Sequence, residues 1–234
     1  RSPASESEEY RTWGPPGCGK TTWMVDRAII SADKFGADQV SICSLTNAAV
    51  REAAGRDLPL DSDNVTTLHA RCKRALDAPA PAETKAVEFA KAYPSYAEDG
   101  HLPPYLLRGF IRGDIEDDGD SLSEIIMSGG RGATLYDISN ILRQQRVPCT
   151  ESNWGPGVYR WFRKWSDWCR ESGHMDFTGW LEASLEYTPL PPQSVVFVDE
   201  AQDHTPLQLE VIRTWRSRYH VLIGDDDQNL YEWS

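Results

Sequence analysis

The chain lacks any run approaching 18 consecutive apolar residues, so it offers no membrane-spanning helix. It also lacks the charged, apolar and small-residue order of a secretory signal. Its five cysteines, Cys18, Cys43, Cys72, Cys149 and Cys169, are scattered, odd in number and contain no CxxC pair. That argues against a zinc site or a disulfide framework, and the expected compartment is a reducing cytoplasm. Positive charge is scarce: 24 Lys and Arg stand against 36 Asp and Glu, for a formal net charge of −12. Such a balance argues against a basic nucleic-acid coat protein, but not against a motor that holds a strand in a local groove.

What is present is an α/β texture interrupted once. Residues 1–9, "RSPASESEE", are polar and read as a disordered leader or expression remnant. Residues 10–76 alternate strand-like and helical pieces: "EYRTWG", a helix over about Lys20–Ala32, "DQVSICSL", a helix from Asn47, "NVTTL" and the helix "HARCKRAL". Residues 77–175 lose that alternation and read as helical, apart from "DIEDDGD" (114–120), which reads as a solvated loop. In "GVYRWFRKWSDWCRES", Trp161, Trp165 and Trp168 share one helical face, which predicts a buried stripe in preference to a DNA-stacking one. From 176 to 234 the strand–helix texture returns with "SVVFVDE", a helix over about Pro206–Ser217, and "YHVLIG". The expected fold is therefore a parallel sheet covered by helices, split by an inserted, mainly helical subdomain.

Two motifs carry chemistry. "GPPGCGKTT" comprises Gly14, Pro15, Pro16, Gly17, Cys18, Gly19, Lys20, Thr21 and Thr22, and fits G-x-x-x-x-G-K-[ST] between a predicted strand and a predicted helix. The glycines let backbone N–H groups converge on phosphate oxygens, and the helix start adds its positive end. Lys20 is placed to reach the β- and γ-phosphates of ATP, and the Thr21 hydroxyl to reach Mg²⁺. "VVFVDEAQD" then ends an apolar strand in acids. Asp199 is placed to hold Mg²⁺ and Glu200 to orient or deprotonate a water for attack on the γ-phosphate.

In chain order, "GPPGCGKTT", "SLTNAAVREA", "TTLHARCKRAL", "MDFTGWLEASL", "FVDEAQDHTPLQLEVI" and "VLIGDDDQNLYEW" resemble the motifs of UvrD/Rep/PcrA-type superfamily 1A DNA helicases. The resemblance covers most of residues 10–76 and 174–234. It implies a P-loop, RecA-like fold and ATP-driven translocation on single-stranded DNA in the 3′→5′ direction. It assigns Thr46, Asn47, Thr67 and His69 to the DNA path, although His69 also reads as a structural histidine at a helix start. Gln228 would touch the γ-phosphate, and Tyr231 and Trp233 would face DNA, with Trp233 stacking on a base; packing on the sheet edge is the alternative for both aromatics. The "DFTGWL" stretch reads as mainly structural.

The sequence departs from the family in three places. Leu45 replaces an aromatic, Ala48 replaces a lysine, and no glutamine precedes the phosphate loop to read adenine. The resemblance further implies a second RecA-like domain of the same protein after residue 234, carrying arginine fingers. Residues 1–234 alone, expected as a monomer, would then bind Mg–ATP, hydrolyse it very slowly and unwind nothing. Alternatives are the motor of a helicase–nuclease or protein-stripping translocase, and a helicase-derived module that binds DNA or protein with nucleotide as a switch.

Overall fold

Strands form where β-branched and aromatic residues bunch between turn formers. The computed structural model describes residues 7–44, 58–107, 133–186 and 193–225. Among these are five strands: β1 (Glu8–Trp13), β2 (Val40–Ser44), β3 (Val65–Thr67), β4 (Val195–Val198) and β5 (Tyr219–Gly224). They form one all-parallel sheet in the order β1-β5-β4-β2-β3. The expected α/β fold is therefore present. Glu8 and Glu9, read above as leader, are sheet residues. The Glu8 N–H donates to the Arg218 carbonyl at 2.9 Å, and the Glu9 carboxylate meets Arg213 at 2.9 Å.

The α-helices among the described residues are α1 (Lys20–Phe35), α2 (Leu68–Ala75), α3 (Ala86–Ala92), α4 (Pro104–Leu107), α5 (Leu135–Gln144), α6 (Glu151–Trp154), α7 (Pro156–Glu171), α8 (Phe177–Glu186) and α9 (Pro206–Thr214). α1 runs three residues past the predicted end because nothing stops it before Gly36, whose φ of 100° suits glycine. α9 stops three residues early, and the chain turns at Arg216 with φ 51°. None of the helices among the described residues is long and apolar enough to cross a membrane.

The described residues divide into two compact units. The first contains the sheet and α1. Met24, Ala28 and Ala32 recur every fourth residue along α1 and pack against Val40, Ile42, Val195, Phe197 and Ile223 of the sheet. β2 and β4 are buried throughout, whereas most of β1 is exposed.

The second unit holds the described part of residues 72–187, together with 205–208. Its centre is the predicted tryptophan stripe on α7. Trp161, Trp165 and Trp168 are 2%, 1% and 7% exposed, which bears out burial. Phe89 of α3 sets its ring edgewise to all three at 5.0–6.4 Å, a favoured aromatic geometry. The polar ends of two indoles are satisfied. Trp161 Nε1 donates to the Tyr96 carbonyl at 2.9 Å, and Trp165 Nε1 donates to Asp176 Oδ2 at 2.8 Å.

Asp176 is a buried hub. It accepts two bonds from Arg143 at 2.8 Å each and caps α8 through the Gly179 N–H at 2.7 Å. Burial alone would raise its pKa, but the Arg143 guanidinium and these hydrogen bonds hold it below the usual carboxylate range. Glu83 lies nearby, fully buried, with no cation paired to it among the described residues. Burial first, and the Asp176 charge second, push its carboxyl up to about 8.

The leader through Glu6, the acidic run 114–120, Leu45, Thr46, Asn47, Ala48, Gln228, Tyr231 and Trp233 lie outside the described residues, as does the helix read from Asn47.

Candidate functional site

Because every strand is parallel, the C-terminal ends of β1, β5 and β4 share one edge of the sheet. The loop Gly14–Gly19 leaves β1 at that edge and runs into α1. Gly17 and Gly19 adopt left-handed backbone, with φ of 73° and 86°, and a Cβ added to either would meet no atom within 4 Å. The backbone at both glycines is therefore open on the side a Cβ would take. α1 begins at Gly19 with no side-chain cap and no acid in its first turn, so its positive end is not already neutralised. Lys20 Nζ donates to the Gly14 carbonyl at 2.6 Å and to the Pro15 carbonyl at 3.2 Å, leaving one of its three protons for another acceptor. Cys18, Pro15 and Pro16 are exposed, and Thr21 is half-buried beside Lys20.

β4 delivers the acids. Asp199 is buried at the strand end, where its N–H donates to the Cys43 carbonyl at 3.0 Å. Its carboxylate accepts the Glu200 N–H at 3.1 Å. Glu200 has φ 48° and ψ 47°, a left-handed conformation unusual for a side-chain-bearing residue and common at functional turns. Burial, and next the Glu200 charge, raise the pKa of Asp203. His204 Nδ1 lies 3.2 Å from the Glu200 carbonyl, and burial pushes this imidazole down to about 4, so it is neutral near pH 7.

β5 lies between the other two strands and joins them. The Gly14 N–H donates to the Gly224 carbonyl at 3.1 Å, fixing where the loop starts. Asp225, buried just after β5, places a carboxylate oxygen 3.8 Å from Lys20 Nζ. Gln202 Oε1 accepts the Asp225 N–H at 3.0 Å, and Gln202 Nε2 donates to Glu200 Oε2 at 2.8 Å. A side chain at Gly224 would collide with the Trp13 ring and the Gln202 side-chain oxygen, so the packing as it stands suits only glycine.

The structure therefore brings Lys20, Asp199 and Glu200 to one sheet edge. Gln202, Gly224 and Asp225 were not read from sequence as site residues. Their signal was available only as position, within "DEAQD" and after an apolar strand. Of the residues that the resemblance assigns to a DNA path, two are described. Thr67 is 2% exposed, and its hydroxyl accepts the Ala70 N–H at 3.2 Å, capping α2. His69 is 8% exposed, and burial lowers its pKa to about 4.

The donor set fits Mg–nucleotide. No group of three or more His, Cys, Asp or Glu side chains forms a metal cage among the described residues. Magnesium characteristically takes one or two protein oxygens and substrate phosphates for the rest. The glycine loop with left-handed turns at Gly17 and Gly19, and the uncapped helix start, are what phosphates require.

A family model described as an AAA domain matches residues 3–234. No curated protein matches the chain.

Proposed function

We propose a motor function from one premise: the chain belongs to the AAA-domain family, a P-loop nucleotide-binding type found in UvrD/Rep-like helicases. Within that family we read it as the N-terminal motor domain of an ATP-dependent superfamily 1A DNA helicase, moving 3′→5′ on single-stranded DNA. The observation that carries the reading is the placement of β5. It sets Gly224 and Asp225 between the phosphate loop and the Asp199–Glu200 pair, and leads directly into the segment containing Gln228.

In the proposed mechanism the backbone of Gly17–Lys20 and the Lys20 ammonium bind the β- and γ-phosphates of ATP. The Thr21 hydroxyl and Asp199 would hold magnesium, which when bound neutralises phosphate charge. Glu200 orients a water and accepts its proton as the water oxygen bonds to the γ-phosphorus. The bond to the bridging oxygen breaks, releasing ADP and inorganic phosphate. Gln228, Tyr231 and Trp233 would connect the γ-phosphate to a strand path that includes Thr46, Asn47, Thr67 and His69.

The test is ATP binding and hydrolysis by the full-length protein with and without single-stranded DNA. The expected outcome is DNA-stimulated hydrolysis, loss of nucleotide binding in Lys20→Ala, and weakened DNA binding with normal nucleotide affinity in Trp233→Ala. Stacking of one base is worth about 1–3 kcal/mol, so affinity should fall on the order of 10- to 100-fold. Unchanged nucleotide affinity in Lys20→Ala would remove the phosphate loop from the site.

A second reading is a nucleotide-switched module that binds DNA or protein without translocating. The burial of Thr67 and His69 favours it, because neither side chain presents itself to a strand. ATPase activity that DNA leaves unchanged would select this reading.

A further inference from the structure

The geometry points to Gln202 as a positioning residue that ties the water-activating Glu200 to the backbone leaving β5; this rests on the nucleotide-hydrolysing reading above. Gln202 stands 23 residues before Asp225 in sequence, yet its one side-chain amide contacts both sides of the site. The orientation of that amide is set by chemistry. A backbone N–H can only donate, so the amide oxygen must face Asp225. The NH₂ group is then turned to Glu200, whose carboxylate can only accept when ionised. One N–H reaches Glu200 Oε2 at 2.8 Å, and Asp203 Oδ2 lies 3.4 Å from the same nitrogen.

Surrounding packing holds the link in place. Gly224 leaves room for the Gln202 oxygen, and the ring of Trp13 closes the other side of that gap. Glu200 itself is held by its left-handed backbone and by Asp199, through the bond from its N–H to that carboxylate. The consequence is directional. Any movement of the chain after Gly224 pulls on the amide oxygen, and the same rigid amide moves the carboxylate that must face the attacking water. Gln202 thus carries the position of the Asp225 backbone to Glu200.

Two near-isosteric variants separate the halves of this link. Gln202→Met removes both bonds. Gln202→Glu keeps an acceptor for the Asp225 N–H but sets a second carboxylate against Glu200. Amide exchange at Asp225, followed by NMR in the absence of nucleotide, should accelerate in Gln202→Met and stay at the wild-type rate in Gln202→Glu. In the full-length protein both variants should lose kcat for ATP on the order of 10- to 100-fold, as misplacement of a reacting group does, with KM within about twofold. Wild-type kcat in both variants, or equal Asp225 exchange in all three proteins, overturns the inference. A wild-type protein that neither binds nor hydrolyses ATP overturns the functional reading, and Gln202's role in turnover with it.

Discussion

Replacing Glu83 by glutamine should abolish most of the pH dependence of stability in the helical unit. Glu83 is 1% exposed, and its Oε1 accepts both the Tyr136 hydroxyl at 2.6 Å and the Phe177 N–H at 3.1 Å. Its Oε2 meets no hydrogen-bond partner among the described residues, and an unpaired buried oxygen costs least when the carboxyl is uncharged. Burial, then the Asp176 charge, raise its pKa from an ordinary 4.5 to about 8. Between those values the folded protein keeps a proton that the unfolded chain has released. This contribution to stability is complete below pH 4.5, declines as pH rises, and is lost once pH passes about 8. A shift of that size corresponds to a total on the order of 5 kcal/mol, or about 1.4 kcal/mol per pH unit inside the window. The side-chain amide of the Glu83→Gln variant would keep the two accepted bonds and cannot ionise. His69 and His204, both buried with pKa lowered to about 4, act in the opposite sense, since their unfolded forms bind the extra proton below about 6.5. They are unchanged in the variant and cancel in the comparison. Urea unfolding followed by tryptophan fluorescence at about pH 5 to 9 includes the signal of the unit that contains Trp154, Trp161, Trp165, Trp168 and Trp180, five of the nine tryptophans. The difference between Glu83→Gln and wild type should grow in favour of the variant from about pH 5 to 8 and then level. Parallel stability curves across that range would refute a neutral Glu83.

Asp176→Asn should destabilise the same unit by about 3–5 kcal/mol, because among the described residues it leaves the buried Arg143 with only the partly exposed Glu182 as a charged partner; denaturant titration near neutral pH measures it. Trp161→Ala should cost about 3–5 kcal/mol in the same assay, since the indole is buried and hydrogen-bonded. Gly224→Ala should leave the protein folded but displace Gln202 or Trp13, costing about 1–3 kcal/mol and speeding amide exchange at Asp225; unchanged exchange would count against the close packing at this position.

The elements were legible because hydrophobic period and punctuation encode them locally. The unbroken apolar run before Asp199 marked a strand buried on both faces, and the spacing of Trp161, Trp165 and Trp168 marked the inner side of α7. Period states which side of an element is buried but not which element lies beside it, so the position of β5 between β1 and β4 was not readable. The same reason hid Gln202, whose two partners are brought together only by strand order. Arg143, Asp176 and Glu83 were equally obscure. Scattered charges in a polar sequence look solvated, and only the fold shows that these three share a buried interior.

The strand order also bears on how the protein comes into being. Among the described residues β1 finds its parallel neighbour only in β5, with Glu8 opposite Tyr219. Closing a loop of roughly 210 residues costs on the order of 5 kcal/mol in chain entropy before the pairing returns anything. During synthesis the phosphate loop leaves the ribosome long before its anchor at Gly224. A nascent chain therefore carries Gly14–Thr22 through the making of everything between, without the strand that fixes the start of the loop. Competence to hold nucleotide should arrive late and abruptly, when β5 slides in beside β1.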